Sequence, residues 1–158
     1  MPGLTLRFDS DPDDLGWYQR VQEALTAFAA TAGLDATVAM LLPSAVVEAI
    51  NNIIKHAYLN EPGRPITLTA EQDAGGVCIV LRDRGGPMPL PLPSGELPDD
   101  AAESGRGWRI IRGVFPDAHY VREGNENVLT LSRAGTADAF ETDGGGNGRL
   151  NGHPEKHP

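Results

Sequence analysis

The chain has 158 residues, of which 40% are hydrophobic and 22% charged, as is usual for a soluble globular domain. Its net charge of −9 argues against nucleic acid or an anionic membrane surface as the main partner. The single cysteine, Cys78, excludes an internal disulfide. The first residues lack the basic and apolar regions of a signal peptide, and no apolar run approaches the roughly 20 residues that span a bilayer. We therefore expect a cytoplasmic protein without a membrane span.

The N-terminal part of the chain predicts one strand and two helices. Residues 4–8 alternate between apolar and polar types, as the two faces of a strand require. Apolar residues at helical spacing then predict a first helix that Gly33 ends. A second helix is predicted from about residue 35 to about residue 59, and Pro43 either kinks this helix or marks its true start.

A hairpin and a long loop follow the second helix. Residues 66–70 and 77–81 are predicted to be strands, because Asp73-Ala74-Gly75-Gly76 between them is typical of a hairpin turn. Residues 85–104 have no periodicity, and four prolines lie between residues 87 and 93. A loop of this length inside a compact domain predicts a functional lid or binding loop.

The C-terminal part predicts a short helix at residues 108–114 and two closing strands at residues 118–122 and 128–131. Residues 134–158 are rich in Gly, Asp and Asn and nearly devoid of apolar side chains, so we predict a disordered tail. Runs of helices and hairpins, rather than alternating strands and helices, predict an α+β fold. We expect a two-layer sandwich in which helices cover one face of a mixed, mostly antiparallel sheet.

One face of the second helix carries polar groups that are able to perform chemistry. A helix turns by about 100° per residue, which places Glu48, Asn52, Lys55 and His56 on one side. The opposite side is apolar and suited to packing. If the helix is considered alone, a solvated polar surface is the more usual explanation of this stripe.

Two further motifs lie downstream of this helix. Asp83 and Gly85 follow a predicted buried strand, where an acid can accept a hydrogen bond from an exocyclic amine and a glycine lets backbone approach a planar ring. Gly105-Arg106-Gly107 precedes the short helix, and we expect its free amides to bind phosphate. Each motif alone is also common in ordinary turns.

In this order, the three motifs resemble the superfamily of gyrase, heat-shock chaperone, histidine kinase and mismatch-repair ATPases (GHKL). The chain is most similar to the small bacterial anti-sigma-factor serine kinases, whose run Glu-Ala-x-x-Asn-x-x-x-His-(Ala/Gly)-Tyr matches residues 48–58. The resemblance covers roughly residues 4–133 and implies the Bergerat-type ATP-binding fold. We accordingly divide the chain into a kinase domain, residues 1–133, and the tail, residues 134–158.

The resemblance implies roles for the polar residues of the first two motifs. Asn52 would hold Mg²⁺ and Asp83 would recognise the adenine amino group. Gly85 would let the backbone approach the adenine ring. Glu48 would be the general base that takes the proton from a serine hydroxyl of the partner.

The resemblance also implies a phosphate site. Gly105, Arg106 and Gly107 would surround the phosphates of ATP, and Lys55 would either contact a phosphate or remain solvated. His56 is interpreted as a structural residue at the end of the helix rather than as a catalyst. Trp108 is interpreted as a packing residue.

The sequence departs from the family pattern at two places. Pro87 stands where the adenine motif usually has a second glycine, and Glu126-Asn127 stands where the family often has Gly-Thr before the last strand. Asn127 remains able to give a hydrogen bond near the adenine.

Three functions remain open on these residues. The first is a serine kinase that uses Mg-ATP, sequesters a sigma factor and phosphorylates an anti-anti-sigma protein of the STAS type. The second is a nucleotide-gated binding module with little kinase activity. The third is a stand-alone catalytic domain of the histidine-kinase type, which Lys55 favours slightly. The resemblance also implies a homodimer that contacts neither nucleic acid nor a membrane.

Overall fold

A computed structural model of the protein describes residues 3–96 and 103–135. The elements are β1 (Gly3–Asp9), α1 (Gly16–Thr31), α2 (Ala36–Asn52), β2 (Pro65–Asp73), β3 (Gly76–Asp83), α3 (Glu103–Val114), β4 (Asp117–Glu123) and β5 (Glu126–Ala134). This order is the one that the sequence predicts. Most of the predicted tail, residues 136–158, lies outside the described residues, while Ala134 belongs to β5 rather than to the tail.

The five strands form one sheet in the order β1-β2-β3-β5-β4, and every pair of neighbours is antiparallel. The expectation of a mixed sheet is therefore wrong, whereas the expected α+β sandwich is confirmed. Strands β3 and β4 run in the same direction, but β5 lies between them and pairs with both. β2 likewise separates β1 from β3.

The sheet buries one face against the helices. Side chains of a strand alternate between the two faces, and in β3 the buried positions are every second residue, from Val77 to Asp83. The buried strand residues join the helices in one hydrophobic core, with members Phe8, Ile66, Leu68, Ala70, Val77, Ile79, Leu81, Leu129 and Leu131 from the strands. All of these strand positions face the helical layer, which gives the two layers that the sequence predicts.

Helix α2 lies at the centre of the helical layer. It begins where expected, because the Asp35 carboxylate accepts hydrogen bonds from the backbone N–H groups of Thr37, at 3.0 Å, and Val38, at 3.4 Å. Pro43 is buried inside the helix and does not mark its start. Ile50 is fully buried, so the apolar side of the predicted helix is the side that packs.

The end of α2 differs from the prediction of a helix that continues to about residue 59. After Asn52 the chain forms a π-helical turn, Ile53–Ala57, which the N–H of Tyr58 closes by donating to the carbonyl of Ile53 at 2.9 Å. Leu59 and Asn60 then adopt positive φ angles of 52° and 62°, which stop the helix. Turns of this wider kind are often found at functional sites.

Residues 36–57, taken together, are long and apolar enough to cross a membrane by length and composition alone, with a mean hydropathy of 1.5 over the most apolar window. The expectation that no apolar run approaches that length is therefore wrong. Within the protein, 56% of that window is buried. A core helix of a soluble domain has this property as well, so the segment gives only weak support to a membrane span.

Candidate functional site

A cavity of about 500 Å³ opens between the end of α2, the end of β3, the proline-rich loop and α3. Its walls consist of Asn52, Ile53, His56, Ala57, Asp83, Gly86, Pro87, Met88, Pro89, Pro91, Pro93, Trp108 and Asn127. The fold thus brings Asn52 and Asp83 of the predicted site to one space. A cavity of this size suits a small organic ligand.

Asp83 ends β3 at the inner edge of this cavity and is only 5% exposed. Its Oδ1 accepts hydrogen bonds from the N–H of Gly85 and from Nδ2 of Asn127, each at 2.8 Å. Burial raises the pKa of Asp83 above its usual value, while these two bonds and the positive charge of Arg122 act in the opposite direction. Oδ2 makes no hydrogen bond within the described residues and is free to accept one from a ligand.

Asn127 holds Asp83 in place from the neighbouring strand β5, and it is 3% exposed. Its Nδ2 donates to Asp83 and also to the carbonyl of Gly86 at 2.9 Å. Its Oδ1 accepts from the hydroxyl of Tyr120 at 2.6 Å and from Nη1 of Arg122 at 2.7 Å. Because these protein groups use its hydrogen-bonding capacity, Asn127 positions Asp83 and has little left to offer a ligand.

Gly85 lies behind the cavity wall, pressed against the π-helical turn. A methyl group on Gly85 would lie 2.6 Å from the carbonyl carbon of Ala57, which is closer than atoms can approach. The next residue, Gly86, donates its N–H to the carbonyl of Ala57 at 2.9 Å. The glycine of the second motif is therefore needed for close contact between this loop and the end of α2.

Tyr58 makes a second link between the end of α2 and the loop after β3. Its buried hydroxyl donates to the carbonyl of Pro65 at 2.5 Å and accepts from the N–H of Arg84 at 2.7 Å. Burial raises the pKa of Tyr58 above its usual value. The sequence contains this tyrosine in the first motif, but the spacing does not reveal its partners.

Glu48 and Asn52 lie one helical turn apart and face α3, as their spacing predicts. A methyl group on Gly107 would lie 2.9 Å from Oε1 of Glu48 and 3.9 Å from Nδ2 of Asn52. Nδ2 of Asn52 is buried and has no hydrogen-bond partner among the described residues. An unpaired buried amide is costly unless a ligand satisfies it, so Asn52 is the strongest indication of a binding site.

The third motif is not the loop that the sequence predicts. Helix α3 begins at Glu103 rather than at Trp108, so Gly105, Arg106 and Gly107 lie inside its first turns. A glycine costs about 1 kcal/mol in a helix, and this is too little to prevent a helix whose later residues pack in the core. Any free amides belong to the first turn of α3, since the N–H of Gly107 falls within the helical hydrogen-bond pattern.

The cations and the histidine of the site are exposed. Lys55 and His56 lie in the π-helical turn, and Arg106 lies on the outer side of α3. His56 forms part of the cavity wall, whereas Lys55 and Arg106 do not line it. His56 lies at the end of the helix, as the sequence indicates, and its side chain is exposed and lines the cavity; its interpretation as a structural residue rather than a catalyst stays a prediction.

The proline-rich loop supplies residues that the motifs did not identify. It contributes Met88, Pro89, Pro91 and Pro93 to the wall, in keeping with the predicted binding loop. Trp108 is 3% exposed and also lines the cavity. It therefore packs, as interpreted from the sequence, and shapes the cavity at the same time.

The chain matches a profile of the histidine kinase-like ATPase domain over residues 11–133. It is also 35% identical over 91 residues to the serine/threonine-protein kinase BtrW of Bordetella bronchiseptica. That match covers 54% of this chain and 63% of the relative, so the chain spans somewhat less than two thirds of BtrW.

Two solved structures share the fold. The RsbU and RsbW domains of a Mycobacterium tuberculosis protein give a TM-score of 0.58 at 18% identity, covering 85% of this chain and 33% of the other. The blue-light activated histidine kinase EL346 of Erythrobacter litoralis gives 0.53 at 14% identity, covering 78% and 42%. The fold and the motif order agree with the profile match, which spans most of the chain: the protein belongs to the histidine kinase-like ATPase family within the GHKL superfamily.

Proposed function

We propose that the protein is a serine kinase that binds Mg-ATP in this cavity and transfers the γ-phosphate to a partner protein. The observation that carries the proposal is the arrangement of α2 against α3, where the carboxylate of Glu48 lies beside Gly107 and one turn from the unpaired amide of Asn52. Asn52 and Asp83 line the cavity, and Glu48 lies one helical turn before Asn52 without lining it.

The adenine would occupy the part of the cavity beside Asp83. Family membership implies ATP binding, and Oδ2 of Asp83 is suitably placed to accept a hydrogen bond from the amino group of adenine. The apolar walls formed by Ile53, Met88 and Trp108 suit the faces of a planar ring.

Asn52 fits the role of a magnesium ligand. Asn52 lines the cavity, and its side-chain oxygen Oδ1 is the atom that would bind the metal, while the buried, unpaired Nδ2 is a donor suited to a phosphate oxygen. Within the described residues no group of three or more His, Cys, Asp or Glu could hold a metal. Magnesium commonly takes only one or two protein ligands and otherwise binds water and phosphate oxygens. A bound magnesium ion would offset the negative charge of the phosphates.

The phosphates would lie towards the start of α3. The positive end of the helix dipole favours anions there, and Arg106 is exposed on the same part of the helix. Lys55 is exposed on the π-helical turn and gives a second positive charge near Asn52. In a chain of net charge −9 these two cations assist the binding of an anionic ligand.

Glu48 would act as general base in the transfer step. The serine oxygen of the partner forms a bond to the γ-phosphorus, the bond from that phosphorus to the bridging oxygen of ADP breaks, and the serine proton passes to Glu48. Such a base contributes about 10²–10⁴-fold to the rate, while most catalysis comes from placement and charge stabilisation.

The resemblance and the similarity to BtrW also support a choice of partners. We propose an anti-anti-sigma protein of the STAS type as the phosphorylated partner and a sigma factor as the partner that the protein sequesters. The protein would act in transcription regulation, as a homodimer in the cytoplasm, with the kinase domain at residues 1–133.

One observation favours the histidine-kinase alternative: Lys55 lies three residues after Asn52, where the resemblance implies a lysine in many histidine kinases. The two functions differ in the chemistry of the product. Phosphoserine is stable in acid, whereas phosphohistidine is not.

The test uses γ-labelled ATP, Mg²⁺ and a purified STAS-type protein. Acid-stable label on the STAS protein supports the serine kinase, and acid-labile label supports the alternative. Tight ATP binding without transfer indicates the nucleotide-gated binding module.

Two variants separate the roles within the site. Glu48→Gln keeps the size of the side chain and should reduce transfer by about 10²-fold or more with ATP binding retained. Asn52→Ala should abolish the magnesium dependence of ATP binding. Glu23→Gln, at an exposed position of α1, is the matched control and should behave like the parent. Undiminished transfer by Glu48→Gln would show that Glu48 is not the base.

A further inference from the structure

The proline-rich loop has an unexpected property: side chains from two different elements hold it in place. We define the proline strap as residues 87–95. Five of its nine residues line the cavity, namely Pro87, Met88, Pro89, Pro91 and Pro93. The strap has no regular secondary structure, so its position depends on contacts with the rest of the protein.

Tyr120 of β4 anchors the beginning of the proline strap. Its hydroxyl accepts a hydrogen bond from the N–H of Met88 at 2.9 Å and donates one to Oδ1 of Asn127 at 2.6 Å. Asn127 in turn donates to Asp83. The same hydrogen-bond network therefore positions the acid that faces the ligand and the first part of the strap.

Arg112 of α3 anchors the far part of the proline strap. Its Nε and Nη2 donate to the carbonyl of Pro93 at 3.1 and 3.0 Å, and its Nη1 donates to the carbonyl of Pro116 at 3.4 Å. The guanidinium carbon lies 5.5 Å from the ring centroid of Trp108, which lines the cavity. One side chain thus joins the strap, α3 and the cavity wall.

Gly95 shows how closely the proline strap docks on α3. Its φ angle is +89°, and a methyl group there would lie 3.1 Å from Cγ of Arg112 and 3.2 Å from the carbonyl oxygen of Trp108. A residue with a side chain would be strained in this conformation and would push the strap away. The backbone is therefore adapted to the contact with Arg112.

We propose that Tyr120 and Arg112 are positioning residues that hold the proline strap as a preformed wall of the base compartment. The inference rests on the proposed function, since it assumes that the adenine of ATP occupies the cavity. A wall that is already in place spares the ligand the cost of ordering a loop, and the prolines restrict the loop further. Tyr120 and Arg112 therefore affect the affinity for adenine, while phosphate binding and phosphate transfer stay unchanged.

The test compares three probes, adenosine, ATP and inorganic tripolyphosphate, by titration calorimetry with the full chain. In each of Tyr120→Phe and Arg112→Met, the binding of adenosine and of ATP should weaken by the same factor, roughly five- to thirtyfold, because Tyr120→Phe loses two hydrogen bonds and Arg112→Met loses three. Tripolyphosphate should bind both variants as it binds the parent. Arg112→Lys, which keeps the charge and one donor, should fall between Arg112→Met and the parent.

Tyr18→Phe is the matched control, because the Tyr18 hydroxyl also accepts a hydrogen bond, from Gln22 at 3.1 Å on α1, and does not line the cavity. It should bind all three probes like the parent. Unchanged adenosine affinity in Tyr120→Phe and Arg112→Met overturns the inference. An equal loss of tripolyphosphate binding together with a lower melting temperature also overturns the inference, because it indicates general damage to the fold. A parent protein that binds neither adenosine nor ATP overturns the proposed function instead.

Discussion

We expect replacement of Gly107 by alanine to raise the stability of the protein and to lower its kinase activity. Gly107 lies in the fifth position of α3 and has an ordinary helical φ, so alanine fits the backbone. The added methyl group would lie 2.9 Å from Oε1 of Glu48. That atom is the end of a flexible side chain, so the carboxylate moves and the helix stays in place.

The two effects have opposite signs and different sizes. Alanine is about 0.8–1.0 kcal/mol more favourable than glycine inside a helix. For a domain of this size we expect the melting temperature to rise by about 3 °C. The carboxylate of Glu48 must move by a few tenths of an ångström, and misplacement of a catalytic group by about 1 Å costs about a hundredfold. We therefore expect transfer at saturating ATP to fall about tenfold.

The measurement combines thermal unfolding with single-turnover transfer of labelled phosphate. Gly113→Ala is the matched control, because Gly113 lies on the same helix and has no atom within 4 Å of the added methyl group. It should raise stability by up to about 1 kcal/mol and leave transfer unchanged. Full activity in a stabilised Gly107→Ala protein would refute the assignment of Glu48 as the base, whereas lower stability would refute the packing argument.

The remaining predictions concern stability and pH. Gly85→Ala should lower the free energy of unfolding by about 2–3 kcal/mol, because the backbone of the π-helical turn must move, whereas Gly86→Ala has its nearest contact at 3.8 Å and should cost less than about 0.5 kcal/mol in urea unfolding. The pKa of Asp83 is raised above 3.8 by burial, so adenosine affinity should fall as the pH drops through that raised pKa and the carboxylate loses its charge. The folded protein binds this proton more tightly than the unfolded chain. The free energy of unfolding should therefore increase as the pH drops through the same interval. Leu59→Gly should stabilise the protein by about 1 kcal/mol, because Leu59 is 75% exposed and has a φ of 52°, whereas Asn60→Gly should gain less, since asparagine tolerates this conformation.

Each of these predictions has a distinct result that contradicts it. Equal urea midpoints for Gly85→Ala and Gly86→Ala would show that contact with the π-helical turn is not tight. Asp83→Asn should remove both pH effects, and their persistence would assign them to another group. A less stable Leu59→Gly protein would show that the Leu59 side chain contributes packing.

Periodicity predicts the parts of this fold that local sequence controls. Alternating residues locate β2 and β3, and the two-residue turn at Ala74-Gly75 joins them as the sequence indicates. The side of α2 that carries Glu48 and Asn52 follows from helical spacing alone. Both features depend on residues close in sequence, which is why they are predictable.

The start of α3 and the end of α2 depend on tertiary contacts, and both differ from the sequence prediction. Glycine has a low helix propensity, so the glycines of α3 suggest a loop. Gly107 is nevertheless buried beside Glu48, and the packing of α3 outweighs the low propensity. The π-helical turn likewise packs against Gly85 and Gly86, which lie about 30 residues away in sequence, and Gly86 donates its N–H to the carbonyl of Ala57.

The network around Asp83 shows why the hydrogen-bond partners of Asn127 could not be predicted from its motif. Asn127 pairs with Asp83 only because β5 lies between β3 and β4, and it meets Tyr120 and Arg122 only because β4 lies on its other side. None of these neighbours is close to Asp83 in sequence. The presence of Glu126-Asn127 in place of Gly-Thr therefore predicts little about the site until the strand order is known.

That network also explains how a buried acid remains a good acceptor. Oδ1 of Asp83 is bonded to two neutral donors, the N–H of Gly85 and the amide of Asn127, while Arg122 donates to Asn127 and not to Asp83. A cation in direct contact would stabilise the carboxylate and compete with a ligand for it. Neutral donors satisfy one oxygen and leave the charge available at the other. The amide of Asn127 thus separates Arg122 from Asp83, and this separation keeps Oδ2 suited to a weak neutral donor such as the amino group of adenine.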